Sequence, residues 1–246
     1  MSLYAYCLCE ELIATALDAV AGVAGAAPRL LPCGRTVAVV SEFAGESLAV
    51  TREHVLAHER VVGRVLTETT PLPFRFGTVT SEERLRSYVA AREPTLRAQF
   101  ERVRGCVEMS VKVLWPPESG QEGAGDGQGG GAEAGARGAA GNTASVGVGT
   151  AFLAAKRRAL LGDEERRGRA AEFECWLAGR LGAVVRETRV SVRPAGRVLV
   201  AAAHLVERGR LGEYRARVRQ VVAERASQHF LTSGPWPPYS FSEDNP

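Results

Sequence analysis

No apolar run in this chain of 246 residues approaches the roughly 18–20 residues that a membrane-spanning helix needs. The first residues, from Met1 to Cys7, lack the basic segment and the small-residue cleavage site of a secretory signal. The chain is therefore expected to stay in the cytosol. CxxC spacing is also missing. The five cysteines, Cys7, Cys9, Cys33, Cys106 and Cys175, are odd in number, which argues against a closed disulfide framework and against a structural zinc site. Cys7 and Cys9 stand two apart on an expected strand and point the same way. The thiols read as reduced and mostly buried.

Catalytic motifs are scarce as well. His54 and His58 are four apart on an expected helix, but Val55 and Ala57 stand where a zincin or its inverted form needs glutamate. No third ligand is evident, and the pair reads as polar histidines on a helix surface. Gly45-Glu46-Ser47-Leu48-Ala49 begins like a nucleophile elbow but has alanine where the second glycine belongs. No histidine marks Cys106 as a nucleophile. No P-loop is present, because Lys156 has no glycine directly before it. Neither a metal, a cofactor nor an enzymatic activity is expected.

The formal net charge is +3, unevenly spread. Residues 1–115 hold 13 basic and 13 acidic side chains, whereas residues 151–230 hold 17 basic and 9 acidic ones, nearly all the surplus being arginine. Nucleic-acid binding would need aromatics interleaved with those arginines or a known motif, and neither is visible. A solvated, ion-paired helix face explains them. Between these regions, residues 116–150 contain 12 of the 27 glycines and almost no bulky apolar side chain. Such a segment cannot bury enough surface to offset its ordering entropy, so a mobile loop or linker is expected. Gly123, Gly125 and Gly127 lie in this low-complexity run, without the strand and helix that frame a nucleotide fingerprint.

Both flanking regions mix strands with helices. Strands are expected at Leu3–Cys9, Arg29–Cys33, Thr36–Phe43, Val107–Trp115, Val184–Val192 and Arg197–Val206, the last two joined by a turn at Pro194-Ala195-Gly196. A last extended segment starts near His229. Helices are expected at Leu12–Val20, from Arg52 to about Thr67, from Leu85 to Phe100 with a break at Pro94, from Phe152 to about Leu181, and over Leu211–Val222. Thr80 with Glu83 makes a capping box. On the Arg52–Thr67 helix, His58 falls on the same face as Val62 and Leu66 and interrupts an apolar stripe. The fold class is α+β in two domains, 1–115 and 151–246, with 116–150 as the linker and antiparallel sheets covered by helices. The long helix is expected to pair with the 211–228 helix in a short coiled-coil-like contact.

Two segments do not look like filler. In Pro71-Leu72-Pro73-Phe74-Arg75-Phe76-Gly77-Thr78-Val79, the prolines remove two backbone donors. An extended chain would put Phe74 and Phe76 on one face and Arg75 on the other. That suits a docking edge, protected from indiscriminate pairing by the prolines and directed by the guanidinium fork. Pro73, Phe74, Arg75, Phe76 and Gly77 are the candidate partner-binding residues. The second segment, Gly234-Pro235-Trp236-Pro237-Pro238-Tyr239-Ser240-Phe241, must be extended and stiff. It is expected to pack on its own domain with the Trp236 indole buried.

LPFRFGTV, preceded by the histidine-containing TREHVLAHERVV, resembles the N-terminal hallmark of the gas vesicle F/L proteins. AVVSEF and GCVEMSVKVLW stand where that family has similar strands, and GPWPPYSF is similar to its C-terminal signature, Gly234 to Tyr239 included. The resemblance runs from Leu3 to Phe241 apart from the glycine-rich linker. It implies a modified ferredoxin-like first domain, a second domain with a coiled-coil element, and a role in gas vesicle formation as an accessory or minor structural protein. It implies association with the small hydrophobic shell protein and with other accessory proteins, a location with the vesicle, and no catalytic residue or cofactor. A different reading, from the arginine surplus, is a small-ligand or nucleic-acid-binding regulator built on ferredoxin-like modules.

Overall fold

The computed structural model describes residues 2–114, 164, 167–191 and 198–242. The expected linker 116–150, the turn 194–196 and the start of the long helix lie outside the described residues.

The first sheet contains β1 (Ser2–Cys9), β2 (Arg29–Cys33), β3 (Thr36–Phe43), β4 (Leu72–Pro73) and β5 (Val79–Ser81). The order is β2-β3-β1, with β4 and β5 both paired to the far side of β1, all antiparallel. β1 is buried on both faces, which explains its nearly continuous apolar run. Tyr4 and Tyr6 face α1 (Arg52–Glu68), whose Val61, Val62 and Val65 pack on them. Leu3, Ala5 and Leu8 face the other way, toward α2 (Glu82–Ala91) and α3 (Glu93–Val103). A register shift between Ala5 and Cys7 moves the alternation by one residue.

Local chemistry sets the helix ends. The Thr51 hydroxyl accepts from the His54 N–H at 3.2 Å and starts α1. α2 is capped by Ser81, the last residue of β5, and not by Thr80: the Ser81 hydroxyl accepts from the Arg84 N–H at 3.2 Å. The break at Pro94 is real: α2 stops at Ala91 and Pro94 sits in the first turn of α3, where its missing N–H costs nothing. The helix expected over Leu12–Val20 is one short 3₁₀ turn, Ala14–Leu17.

The second sheet has the order β7-β8-β6-β9, from β6 (Cys106–Leu114), β7 (Glu187–Ser191), β8 (Val198–Glu207) and β9 (His229–Trp236). β6 was expected in the first domain. It is instead a central strand of this sheet, between β8 and β9, since its apolar face of Val107, Met109 and Val111 finds its cover there. α4 (residues 167–181) and α5 (Leu211–Glu224) provide that cover through Leu177, Leu181, Tyr214, Val218 and Val221. On the opposite face Leu205 joins Cys106 and Phe241 in the core of the first sheet. One apolar cluster thus spans both sheets.

Among the described residues, seven arginines between 167 and 225 are engaged inside this frame. Arg186 donates to the Arg102 and Arg104 carbonyls and to Glu207, and Arg208 donates to Thr69 and Thr70. Arg180 pairs with Glu224, Arg189 with Glu187, and Arg210 and Arg217 with Glu213. Arg225 lies over the Trp176 ring at 4.9 Å.

Candidate functional site

The proline-aromatic run after α1 is not uniformly extended. β4 ends at Pro73, and a turn at Phe76-Gly77 bulges outward before β5. The Arg75 carbonyl accepts from the Thr78 N–H and hydroxyl, at 3.2 and 2.7 Å. Gly77 has φ +89°, a conformation that favours glycine. The turn sends the two phenylalanines to opposite sides of the sheet, contrary to the single face expected for an extended chain. Phe74 is buried against Tyr88 and Leu85, while Phe76 meets Tyr4 and His58. Pro73 is buried too, so Arg75 and Gly77 are the exposed members of the five candidate contact residues.

The C-terminal run reaches the same place. Gly234, at φ +119°, leaves no room for a side chain: a Cβ there would lie 2.8 Å from the Glu108 carbonyl oxygen and from Met109 Sδ. Pro237 and Pro238 are buried, and Phe241 is fully buried in the core shared by both sheets. Glu108 on β6 clips the tail, accepting from the Ser240 N–H and hydroxyl at 2.7 Å each. Burial raises the Glu108 carboxyl above its ordinary range, against the pull of those Ser240 bonds. Arg102 donates to the Phe241 carbonyl. Trp236 does not take part: it is 42% exposed, with its indole N–H on Ser233. The expectation of a buried indole fails because residue 236 still belongs to the edge strand. The chain turns inward one residue later.

Both runs converge on His58. Contrary to the surface position expected for it, His58 is 1% exposed. Its Nδ1 lies 2.9 Å from the Tyr4 hydroxyl and its Nε2 lies 3.0 Å from the Tyr239 hydroxyl. The outer partners fix the direction of the chain. Tyr239 donates to Glu59 Oε1 at 3.0 Å, so it accepts from His58 Nε2–H. Tyr4 accepts from the Gly77 N–H at 3.1 Å and has its own proton for His58 Nδ1. A neutral imidazole with its proton on Nε2 completes every bond. Burial agrees, lowering the His58 pKa to about 4 and raising that of Tyr4 to about 12. The Tyr239 hydroxyl is pushed up as well, first by burial and then by Glu59. Tyr6 stacks on the His58 ring, donates or accepts at Ser41 Oγ at 3.0 Å, and accepts from the Val23 N–H at 2.8 Å. This neutral, satisfied junction joins α1, β1, the Phe76 turn and the C-terminal tail. Its one sequence-level signal is the histidine that interrupts the apolar stripe of α1.

Against known proteins, the family model described as "Gas vesicle synthesis protein GvpL/GvpF" matches residues 2–243. The chain belongs to the GvpL/GvpF family. Among curated relatives, Gas vesicle protein L2 of Halobacterium salinarum is 26% identical over 266 aligned residues, covering 98% of this chain and 91% of the relative. The crystal structure of GvpF from Anabaena sp. PCC7120 shares the fold with a TM-score of 0.75 at 16% identity, over 99% of this chain and 97% of that one. GvpF from Microcystis aeruginosa gives 0.70 at 18% identity, over 98% and 99%. In this member of the GvpL/GvpF family, three of the segments that carry the resemblance, TREHVLAHERVV, LPFRFGTV and GPWPPYSF, meet at His58 through His58 itself, Phe76 and Tyr239. Among its described residues, no helix is long and apolar enough to cross a membrane and no cluster of metal-ligating side chains is present.

Proposed function

We propose that this gas vesicle protein is a non-enzymatic assembly factor that binds the small hydrophobic shell protein and other accessory proteins and acts with the vesicle in the cytoplasm. The family match over residues 2–243 carries this reading. The interior supports it: the hallmark segments are used for closure around a neutral histidine, which suits a rigid binding body. Arg75 and Gly77, on the outer side of the turn, are the part of the first motif left for contact. The finer architecture belongs to the same proposal. The first sheet with α1–α3 is taken as a modified ferredoxin-like unit. The α4–α5 contact, held by Arg180–Glu224 at 3.0 Å, is taken as a short coiled-coil-like pairing.

Pull-down of the tagged chain co-expressed with the shell protein tests the assembly role. A recovered complex that Arg75→Ala weakens, with an unchanged thermal melt, is the expected result. No complex, together with normal vesicles in cells lacking the gene, sinks the proposal. An Arg75→Ala variant that unfolds makes Arg75 a structural residue instead.

A further inference from the structure

Among the described residues, β9 pairs with β6 on one side and with no strand on its other edge. An open edge presents unpaired N–H and C=O groups that accept an added strand unless proline, charge or a cover blunts it. Along β9 the stretch His229–Ser233 carries no charged side chain, and Pro235 stands beyond it. Leu231 is 54% exposed and Trp236 42%. Their partners in register are Lys112 and Glu108, so both lie on the sheet face away from the helices.

Above the same edge runs a flank of α5. Tyr214, Val218 and Val221 point into the core. Arg215, Arg219 and Val222, at i, i+4 and i+7, share the neighbouring flank. The other flank is neutralised by Glu213 with Arg210 and Arg217, and by Glu224 with Arg180. Arg215 and Arg219 face no carboxylate among the described residues. They border a groove of about 250 Å³ that Met109, Val218, Thr232 and Ser233 also line.

We propose that β9 is a docking edge for an extended segment of a partner protein in which acidic and apolar residues alternate. Backbone groups of the segment pair with the free edge, and its side chains alternate between the two faces. On the helix face its carboxylates meet Arg215 and Arg219. On the other face its apolar side chains lie along Leu231 and Trp236. The two exposed chemistries of this edge require that alternation, and a uniformly basic or apolar strand would leave one of them unmet. The inference is independent of shell-protein binding, since any protein bearing such a segment fits.

A short labelled peptide of alternating glutamate and valine, titrated into the full chain and followed by anisotropy, is the probe. A lysine–valine peptide is the counter-probe. The glutamate peptide should bind and protect amides of His229–Ser233 from hydrogen exchange, and the lysine peptide should not. The double variant Arg215→Gln, Arg219→Gln should weaken binding by roughly tenfold while circular dichroism and melting stay unchanged. The charge-reversed pair Arg215→Glu, Arg219→Glu should transfer binding to the lysine peptide. No binding by the native chain, equal binding of both peptides, protection confined to other strands, or unchanged affinity in the glutamine variant would overturn the proposal. Tighter binding of a single-stranded oligonucleotide that displaces the peptide would overturn it too, assigning the arginines to nucleic acid.

Discussion

Each sheet buries one histidine against one tyrosine, yet the two pairs do different work. His58 and His204 are 1% and 2% exposed. Their Nδ1 atoms lie 2.9 and 2.8 Å from the hydroxyls of Tyr4 and Tyr214, and burial lowers both pKa values to about 4. His204 stands on β8 and Tyr214 on α5, ten residues away in sequence, so their bond fastens a helix to its own sheet. The second nitrogen of His58 is also engaged, by Tyr239 at 3.0 Å across 181 residues of sequence. One buried pair is packing. The other becomes a joint because a distant segment supplies the partner for its remaining proton.

The largest test of that contrast lies in the tail. Phe241 is 0% exposed and packs with Leu205 and Phe100 in the core spanning both sheets. Phe241→Ala should cost about 3–5 kcal/mol, the usual loss for a large aromatic in a close-packed site. Urea denaturation of the full chain measures it. A loss under about 0.5 kcal/mol, within the range of ordinary surface changes, would mean that the tail is appended to the joint and does not form part of it.

Acid should weaken both regions. The folded pKa of each histidine, about 4, lies below the ordinary 6.5. Between those values the unfolded chain binds more protons than the folded one, so stability falls as pH falls. It is fully present above 6.5 and is lost by up to about 3 kcal/mol per histidine as pH approaches 4. Glu108 pulls the other way, since burial raises its carboxyl and its protonation favours the fold as pH drops. His58→Gln and His204→Gln should each remove roughly half of the histidine-dependent slope across that window. A slope left intact by either variant would show that its histidine titrates normally in the fold.

A smaller effect separates the two tyrosines. Tyr239→Phe removes the acceptor for His58 Nε2–H and the donor to Glu59. It should cost about 1–3 kcal/mol, with a buried ring proton left unpaired. Tyr214→Phe removes a single bond to His204 and should cost about 1 kcal/mol. Equal losses would erase the distinction between joint and packing. Double-mutant cycles with His58→Gln and His204→Gln would give the coupling in each pair directly.

Much of this was legible in sequence where the pattern is local. β1, β3 and α1 follow from apolar periodicity, and the break before α3 follows from Pro94. Long-range pairing was not legible. β6 alternates as a strand should, but nothing in CVEMSVKVL states that its neighbours are residues 198–207 and 229–236. His58 shows the same limit at the level of one side chain. Its place on the apolar face was readable, but its burial was not, because the partners that satisfy it lie 54 residues before it and 181 after it. Two aromatics two residues apart in sequence, Phe74 and Phe76, went to opposite layers because a turn at Gly77 replaced the expected extended chain.

The smallest expected effect on stability comes from the residue that looked most like an anchor. Trp236 shares its segment with Tyr239 and Phe241, but its ring is 42% exposed and its indole bonds within the same strand, to Ser233. Trp236→Ala should therefore change the unfolding free energy by no more than about 0.5 kcal/mol, as for other surface positions. Thermal melts of the native chain, Trp236→Ala and Phe241→Ala, run side by side, decide the matter. If Trp236→Ala melts like Phe241→Ala, the indole belongs to the closing core and β9 has no free hydrophobic edge. If it melts like the native chain, the tail divides at Pro237 into an inward half that holds the joint and an outward half that is free to meet a partner.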